Sequence, residues 1–190
     1  MTPMEASPLD EAQASVHPRP AQFGPFGRLL LGVSKLLAAL GGLAFVGLVA
    51  MSLVSIVGRK LFSLPVPGDM EVLMMVAATA SATFFAYCHL QGGDVKVDFF
   101  TAKARPRTVL LFDAAGSLSV GVFGALVAWR SWVGAMSLRE VDETSAILGW
   151  PVWLAQAGMV PGFALLAVAG LYMCGQCLRA RKAAGAGRRA

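Results

Sequence analysis

The chain has 190 residues, of which 56% are hydrophobic and only 14% are charged, and its mean hydropathy is +0.65. A soluble domain carries roughly a quarter charged residues, so this composition argues against a soluble domain and predicts an integral membrane protein. The net charge of +5 requires no nucleic-acid partner, because the basic residues lie just outside apolar runs, where the positive-inside rule places them.

In chain order, the sequence predicts a tail, a membrane domain and a second tail. Residues 1–25 are rich in Pro and Ala, lack an early apolar stretch and predict a disordered cytoplasmic tail rather than a secretory signal. The predicted membrane domain, 26–178, contains apolar runs at about 36–57, 70–90, 109–138 and 150–178, each long enough to cross a bilayer. Residues 179–190 form a basic cytoplasmic tail. The predicted fold class is all-α integral membrane, with four transmembrane helices.

Two independent patterns predict that both termini are cytoplasmic. With the N-terminus inside, 12 of the 16 basic residues fall in cytoplasmic segments, as the positive-inside rule requires. All four tryptophans flank the loop that is then external, and they form an aromatic belt at one interface: Trp129, Trp132, Trp150 and Trp153.

The inner loop between the second and third runs interleaves charges with Val95, Val97, Phe99 and Phe100. This pattern predicts a short amphipathic helix lying in the cytoplasmic membrane interface.

No combination of residues predicts an enzyme, a cofactor or a metal site. The two histidines, His17 in the tail and His89 at a helix end, are not arranged to activate a nucleophile, and the chain has no phosphate-binding loop or paired metal ligands. The Cys174-Gly-Gln-Cys177 motif lacks the βαβ context of a redox site. We interpret these cysteines as packing residues, with a metal or redox role as the alternative.

The middle of each apolar run contains no Asp, Glu, Lys, Arg or His. Ion-coupled carriers usually hold ionisable residues at mid-membrane, so the runs offer little to a self-sufficient carrier. A small homo-oligomeric four-helix carrier nevertheless remains an alternative. A membrane anchor for a redox complex is a third possibility, although it would require paired haem-binding histidines, which the runs lack.

Three motifs are more specific than the rest of the chain. Arg59-Lys-Leu-Phe62 follows the first run, Pro65-Val-Pro67-Gly68-Asp-Met-Glu71 leads into the second, and Gly92-Gly93-Asp94-Val-Lys-Val97-Asp98 follows it. Their order and spacing, within about residues 30–178, resemble the small membrane subunit of tripartite ATP-independent periplasmic (TRAP) transporters, the DctQ-like family. The sequence departs from that family where Asp94 replaces a usual histidine.

The resemblance implies a non-catalytic small permease subunit of a sodium-coupled secondary importer of organic acids, such as dicarboxylates or sialic acid. It places the chain in the bilayer of the bacterial inner membrane. The implied partners are a large TRAP membrane subunit, which holds the substrate and sodium sites, and a soluble periplasmic substrate-binding protein. The small subunit would act as a scaffold for the large subunit and help to dock the binding protein.

The resemblance also suggests residue roles at the external side. We expect Arg59 and Glu71 to pair across the first external loop and hold two helices together, with two unpaired interfacial charges as the alternative. Glu140, Asp142 and Glu143 form an acidic external loop that either contributes to docking or is simply solvated.

Two further groups are candidates for packing or partner contacts. The segment Val97, Asp98, Phe99 and Phe100 would brace the subunit against the inner leaflet. The small-xxx-small pair Gly158 and Gly162 allows close helix contact, within this chain or against a partner.

Overall fold

Four long helices make up most of the described structure. The computed structural model describes residues 23–62, 67–93 and 106–186. These residues form α1 (Pro25–Phe62), α2 (Asp69–Leu90), α3 (Pro106–Glu140) and α4 (Trp153–Ala186). All four are long and apolar enough to cross a membrane. The predicted all-α fold with four membrane-spanning helices is confirmed.

Several helices extend beyond the apolar runs that predicted them. α1 begins at Pro25 rather than near residue 36, and α3 runs from Pro106 to Glu140. A charge-free run marks the part of a helix that suits hydrocarbon, whereas the helix itself continues until its hydrogen bonding is terminated. The segment 94–105, including the predicted amphipathic helix with Val97, Asp98, Phe99 and Phe100, lies outside the described residues.

In space the helices lie in the order α1, α2, α4, α3. α1 packs on α2, α2 packs on α4, and α4 packs on α3, while α1 touches α4 over only a small area. α4 is therefore the central helix of the described structure. α1 and α3 lie at the edges and present broad apolar faces outward, as expected for helices that contact lipid.

Glycines bring the backbones of neighbouring helices into close contact. A Cβ atom built on Gly170 of α4 would lie 2.6 Å from the Cα of Gly121 in α3. One built on Gly162 would lie 2.6 Å from the carbonyl oxygen of Ala82 in α2. Gly158 lies against the side chain of Thr79, so Gly158 and Gly162 both lie in the α2–α4 interface of this chain.

Two helices end in the same backbone motif. At the end of α2, Gly92 (φ 70°) and Gly93 donate to the carbonyls of His89 and Cys88. At the end of α3, Asp142 (φ 50°) and Glu143 donate to the carbonyls of Arg139 and Leu138. These are Schellman motifs, in which one residue in the left-handed region allows the last carbonyls of the helix to be satisfied.

An aromatic cluster holds the start of α1 against α4. Phe23 is only 2% exposed and meets the ring of Tyr172 edge-on, with centroids 5.5 Å apart. Gly27 lies against the same tyrosine, where a side chain would collide with its hydroxyl group. Phe23 falls within the range predicted as a disordered tail, yet it is part of the packed structure.

Candidate functional site

The first turn of α2 is the structural centre of one end of the molecule. We call this the loop end; it comprises the C-terminus of α1, the N-terminus of α2 and the α3–α4 connection, residues 141–152. Asp69 and Glu71 both lie in this turn. Positions two apart on a helix point about 200° away from each other. The two carboxylates therefore face different neighbours.

Asp69 faces α1. Its Oδ2 atom accepts a hydrogen bond from the hydroxyl group of Ser55, which is 1% exposed, and lies 3.7 Å from a guanidinium nitrogen of Arg59. Its Oδ1 atom accepts from the backbone N–H of Met70 at 2.8 Å. A carboxylate at a helix N-terminus is favourable because it complements the exposed N–H groups there. Asp69 thereby joins α1 to α2.

The expected ion pair between Arg59 and Glu71 is not the one that the structure forms. Arg59 pairs with Asp69 instead. The rotation of α2 about its axis explains the difference, because the face that meets α1 carries Asp69 and turns Glu71 away. The expected link between the first and second helices exists, but a different carboxylate makes it.

Glu71 faces the α3–α4 connection and accepts three hydrogen bonds from it. The donors are the hydroxyl group of Ser145 at 2.8 Å and the backbone N–H groups of Ile147 at 2.9 Å and Leu148 at 3.1 Å. We call this arrangement the Glu71 clasp. Hydrogen bonds to an ionised acceptor are stronger than those between neutral groups. The clasp therefore fixes a loop that is more than seventy residues away in sequence.

The clasped loop is itself internally bonded. Thr144 and Pro151 form an isolated antiparallel bridge, and the N–H of Ser145 donates to the carbonyl of Trp150 at 2.8 Å. Leu148 packs against Gly68, whose φ of 76° favours glycine and whose position leaves no room for a side chain. The loop is thus attached to the start of α2 by polar and apolar contacts together.

The acidic residues of the loop lie at the surface beside the clasp. Glu140, Asp142 and Glu143 are all exposed. Asp142 also occupies the left-handed position of the α3 Schellman motif, a conformation that Asp adopts more readily than most residues. The backbone carbonyl of Glu143 accepts from the N–H of Val152 at 3.1 Å. The backbone of this segment is fixed, so its carboxylates project from a defined surface.

Arg139 adds a contact between α3 and α4 at the same end. Its guanidinium carbon lies 5.4 Å from the centroid of the Trp153 ring, within the range of a cation–π interaction. Together with Asp69 and the Glu71 clasp, this contact connects all four helices at the loop end. The arrangement is suited to holding helices in fixed positions.

The remaining candidates of the sequence analysis lie elsewhere. His89 is 4% exposed near the end of α2, and Cys177 is 1% exposed in α4, whereas Cys174 is half-buried. In residues 23–62, 67–93 and 106–186, the structure contains no group of three or more potential metal ligands.

Sequence reasoning missed three residues of the loop end: Asp69, Ser55 and Ser145. Ser55 lies four positions before Arg59, so the two share a face of α1, and this spacing could have indicated a common partner. No local pattern marks Ser145.

One comparison with known proteins found a match. The family model described as "Tripartite ATP-independent periplasmic transporters, DctQ component" matches residues 48–180, which is more than half of the chain and includes the whole loop end. No curated protein and no solved structure matches the chain.

Proposed function

The chain belongs to the DctQ component family of tripartite ATP-independent periplasmic transporters, and on this premise we propose that it is a scaffold subunit in a sodium-coupled importer of organic acids. The family is one of transporter components rather than enzymes, and the chain is a multi-pass membrane protein. In the proposed complex a large membrane subunit holds the substrate and sodium sites. A periplasmic protein delivers the substrate, which we expect to be a dicarboxylate or a sialic-acid-like compound.

The contacts of the first turn of α2 are the main support for the scaffold proposal. Asp69 connects this turn to α1, and Glu71 connects it to the loop between α3 and α4. A subunit that supports a moving partner must resist relative motion of its own helices, and these links oppose such motion. The spans also lack ionisable residues in their middle sections, which favours support over ion coupling within this chain.

We propose that the loop end faces the periplasm and that both termini are cytoplasmic, in the bacterial inner membrane. The distribution of basic residues and the tryptophan belt support this orientation. The start of α1 and the end of α4 then lie at the cytoplasmic side. The segment around Val97 to Phe100 would lie at the inner leaflet.

The acidic surface formed by Glu140, Asp142 and Glu143 is the proposed contribution to docking. Charges on a fixed loop can steer a partner of opposite charge, and this steering weakens as salt increases. The variant Glu140→Gln/Asp142→Asn/Glu143→Gln places Asn at the left-handed position, which Asn also adopts readily, so the loop should keep its shape. We expect this variant to show slower uptake at low ionic strength and a weaker salt dependence. Unchanged uptake at every ionic strength would exclude docking through this loop.

Reconstituted uptake tests the proposed function as a whole. Liposomes containing the large subunit with or without this chain are supplied with the binding protein and a radiolabelled dicarboxylate or sialic acid. Uptake should require both membrane chains and an inward sodium gradient. Uptake that is driven by this chain alone, or that proceeds equally well without it, would contradict the proposal.

A further inference from the structure

α1 and α4 touch over only a small area, and an apolar crevice lies between them. At the end opposite the loop end they meet through Phe23, Gly27 and Tyr172. Nearer the loop end lies a cavity of about 360 Å³, floored by α2 and walled by α1 on one side and the start of α4 on the other. Its volume lies within the roughly 300–1,000 Å³ typical of ligand pockets.

The crevice is accessible from the membrane side of the protein. Leu40 of α1, Leu154 of α4 and Trp150 of the loop line it, and they are 55%, 53% and 51% exposed. These side chains belong to spanning helices or to the tryptophan belt. The neighbouring medium is therefore the hydrocarbon of the bilayer and its boundary with the headgroups.

The wall of the crevice suits an apolar chain rather than a polar solute. Thr79 and Thr83 bring hydroxyl groups to it, but both donate to backbone carbonyls. The hydroxyl group of Thr79 lies 3.1 Å from the carbonyl oxygens of both Met75 and Ala155, which share its one hydrogen, and Thr83 donates to Ala80 at 2.7 Å. These donors are already used. A polar solute that left water for this site would lose hydrogen bonds without replacing them.

Two basic residues, Arg59 and Lys60, lie closer to the loop end than the crevice does, and Arg59 contacts the face of α2 that borders it. Asp69, Val76 and Thr83 are seven positions apart, so they share the face of α2 that meets α1. Val76 and Thr83 line the crevice, and Asp69 holds Arg59 above it. Arg59 keeps 64% of its side chain exposed, and Lys60 is exposed beside it.

The face of α2 from Asp69 to Thr83 is about as long as one leaflet is thick. From Asp69 to Thr83 the axis of α2 rises about 21 Å, close to half of the 40–45 Å thickness of a bilayer with its headgroups. Arg59 thus lies at headgroup depth, and the crevice reaches toward the centre of the membrane. The order of cation above and apolar cavity below is the order of phosphate and acyl chain in a phospholipid.

We propose that the crevice binds a phospholipid of the leaflet at the loop end, with one acyl chain between α1 and α4 and the phosphate at Arg59 and Lys60. The bound lipid would fill the gap between the two helices. The proposal depends on the chain spanning a bilayer and not on the transported substrate, so it can fail while the scaffold function stands. A side chain of the large subunit is the competing occupant.

Photolabelling of the full chain tests the proposal. The chain is purified with its co-expressed membrane partner and placed in nanodiscs with phosphatidylethanolamine that carries a diazirine near the end of one acyl chain. After irradiation, mass spectrometry maps the labelled residues. Label should concentrate at Val76–Thr83 and Leu154–Ala155, above the level on the outward face of α1. A diacylglycerol with the same photoreactive chain lacks the phosphate and should label these residues several-fold less.

A matched pair of variants tests the crevice itself. Ala44→Phe places a ring in the crevice from α1, whereas Ala50→Phe places the same ring at an exposed position of the same helix. Ala44→Phe should lower crevice labelling by about fivefold or more, because an occupied site cannot also hold the chain. Ala50→Phe should leave it unchanged.

Any one of four results would overturn the proposal. Labelling that is no higher in the crevice than along the outward face of α1 would show ordinary lipid contact. Labelling that Ala44→Phe does not reduce would show that the chain lies elsewhere. Labelling that appears only after the partner is removed would show that a partner side chain occupies the crevice. If Ala44→Phe fails to fold, equal labelling of the unmodified chain by the two lipid probes would refute phosphate recognition.

Discussion

Gly162 provides the sharpest test of the helix packing. The variant Gly162→Ala adds one methyl group in the α2–α4 interface. Its Cβ would lie 2.6 Å from the carbonyl oxygen of Ala82 and 2.7 Å from the carbonyl carbon. Both atoms belong to the backbone of α2, so no side-chain rotation can relieve the contact. The two helices must move apart locally, and the contacts around them must loosen.

The expected loss of stability follows from two opposing terms. Overfilling a packed interface costs about 1–3 kcal/mol. Replacing glycine by alanine inside a helix returns up to about 1 kcal/mol, because alanine loses less backbone entropy. Because the contact is with backbone atoms, the cost lies at the upper end of that range, and we expect Gly162→Ala to lower the free energy of unfolding by about 2 kcal/mol.

Two other glycines of α4 serve as comparisons for the effect of Gly162→Ala. A Cβ on Gly158 would lie 2.9 Å from the Cγ2 atom of Thr79, a side chain that can rotate, so Gly158→Ala should cost less than Gly162→Ala. Gly175 has nothing within 4 Å of its Cβ position, and Gly175→Ala should be neutral or slightly stabilising.

Unfolding by sodium dodecyl sulfate in mild detergent micelles, followed by tryptophan fluorescence, measures this order. We expect the loss of stability to be largest for Gly162→Ala, smaller for Gly158→Ala and absent for Gly175→Ala. Equal effects at Gly162 and Gly175 would refute the close α2–α4 contact.

Three further predictions concern the loop end and the aromatic cluster. Glu71→Ala should release the α3–α4 loop, which would be seen as faster proteolysis within 141–152 and as greater mobility of a nitroxide label placed at Ile147. Glu140→Ala, at an exposed position, should not release the loop. Equal release by both variants would argue against the clasp. Arg59→Glu should lower the thermal stability of the protein in detergent. Adding Asp69→Arg to this variant should restore the stability better than adding Glu71→Arg, and the reverse preference would contradict the observed pair. Phe23→Ala should lower the free energy of unfolding by up to about 3 kcal/mol, because it removes a buried ring. Phe26→Ala, at a side chain that is 57% exposed, should have little effect. Equal losses for the two variants would exclude burial of Phe23.

The spans were predictable because each depends on a long local pattern. Twenty or so apolar residues in succession indicate a membrane helix whatever the rest of the chain does. The Gly158 and Gly162 spacing similarly indicated a close helix contact. The sequence left open whether that contact lay within the chain, since spacing describes one helix and not its neighbour.

The carboxylate partners were not predictable to the same degree. Asp69 and Glu71 are two positions apart, and which of them faces α1 depends on the rotation of α2. Packing of the whole α2 face sets that rotation. The partners of Glu71 lie in a loop distant in sequence, where no local pattern marks them. The burial of Phe23 is likewise not visible in composition, which describes a segment and not the contacts of one ring.

The central claim is that this chain works as a subunit beside a larger membrane protein. Its most direct test is affinity purification of the tagged chain from native membranes in several mild detergents, with mass spectrometry of whatever accompanies it. The claim predicts recovery of a much larger polytopic protein at near-equal stoichiometry. A chain that is recovered alone, or only with copies of itself, in every detergent would contradict it and would favour a small homo-oligomeric carrier.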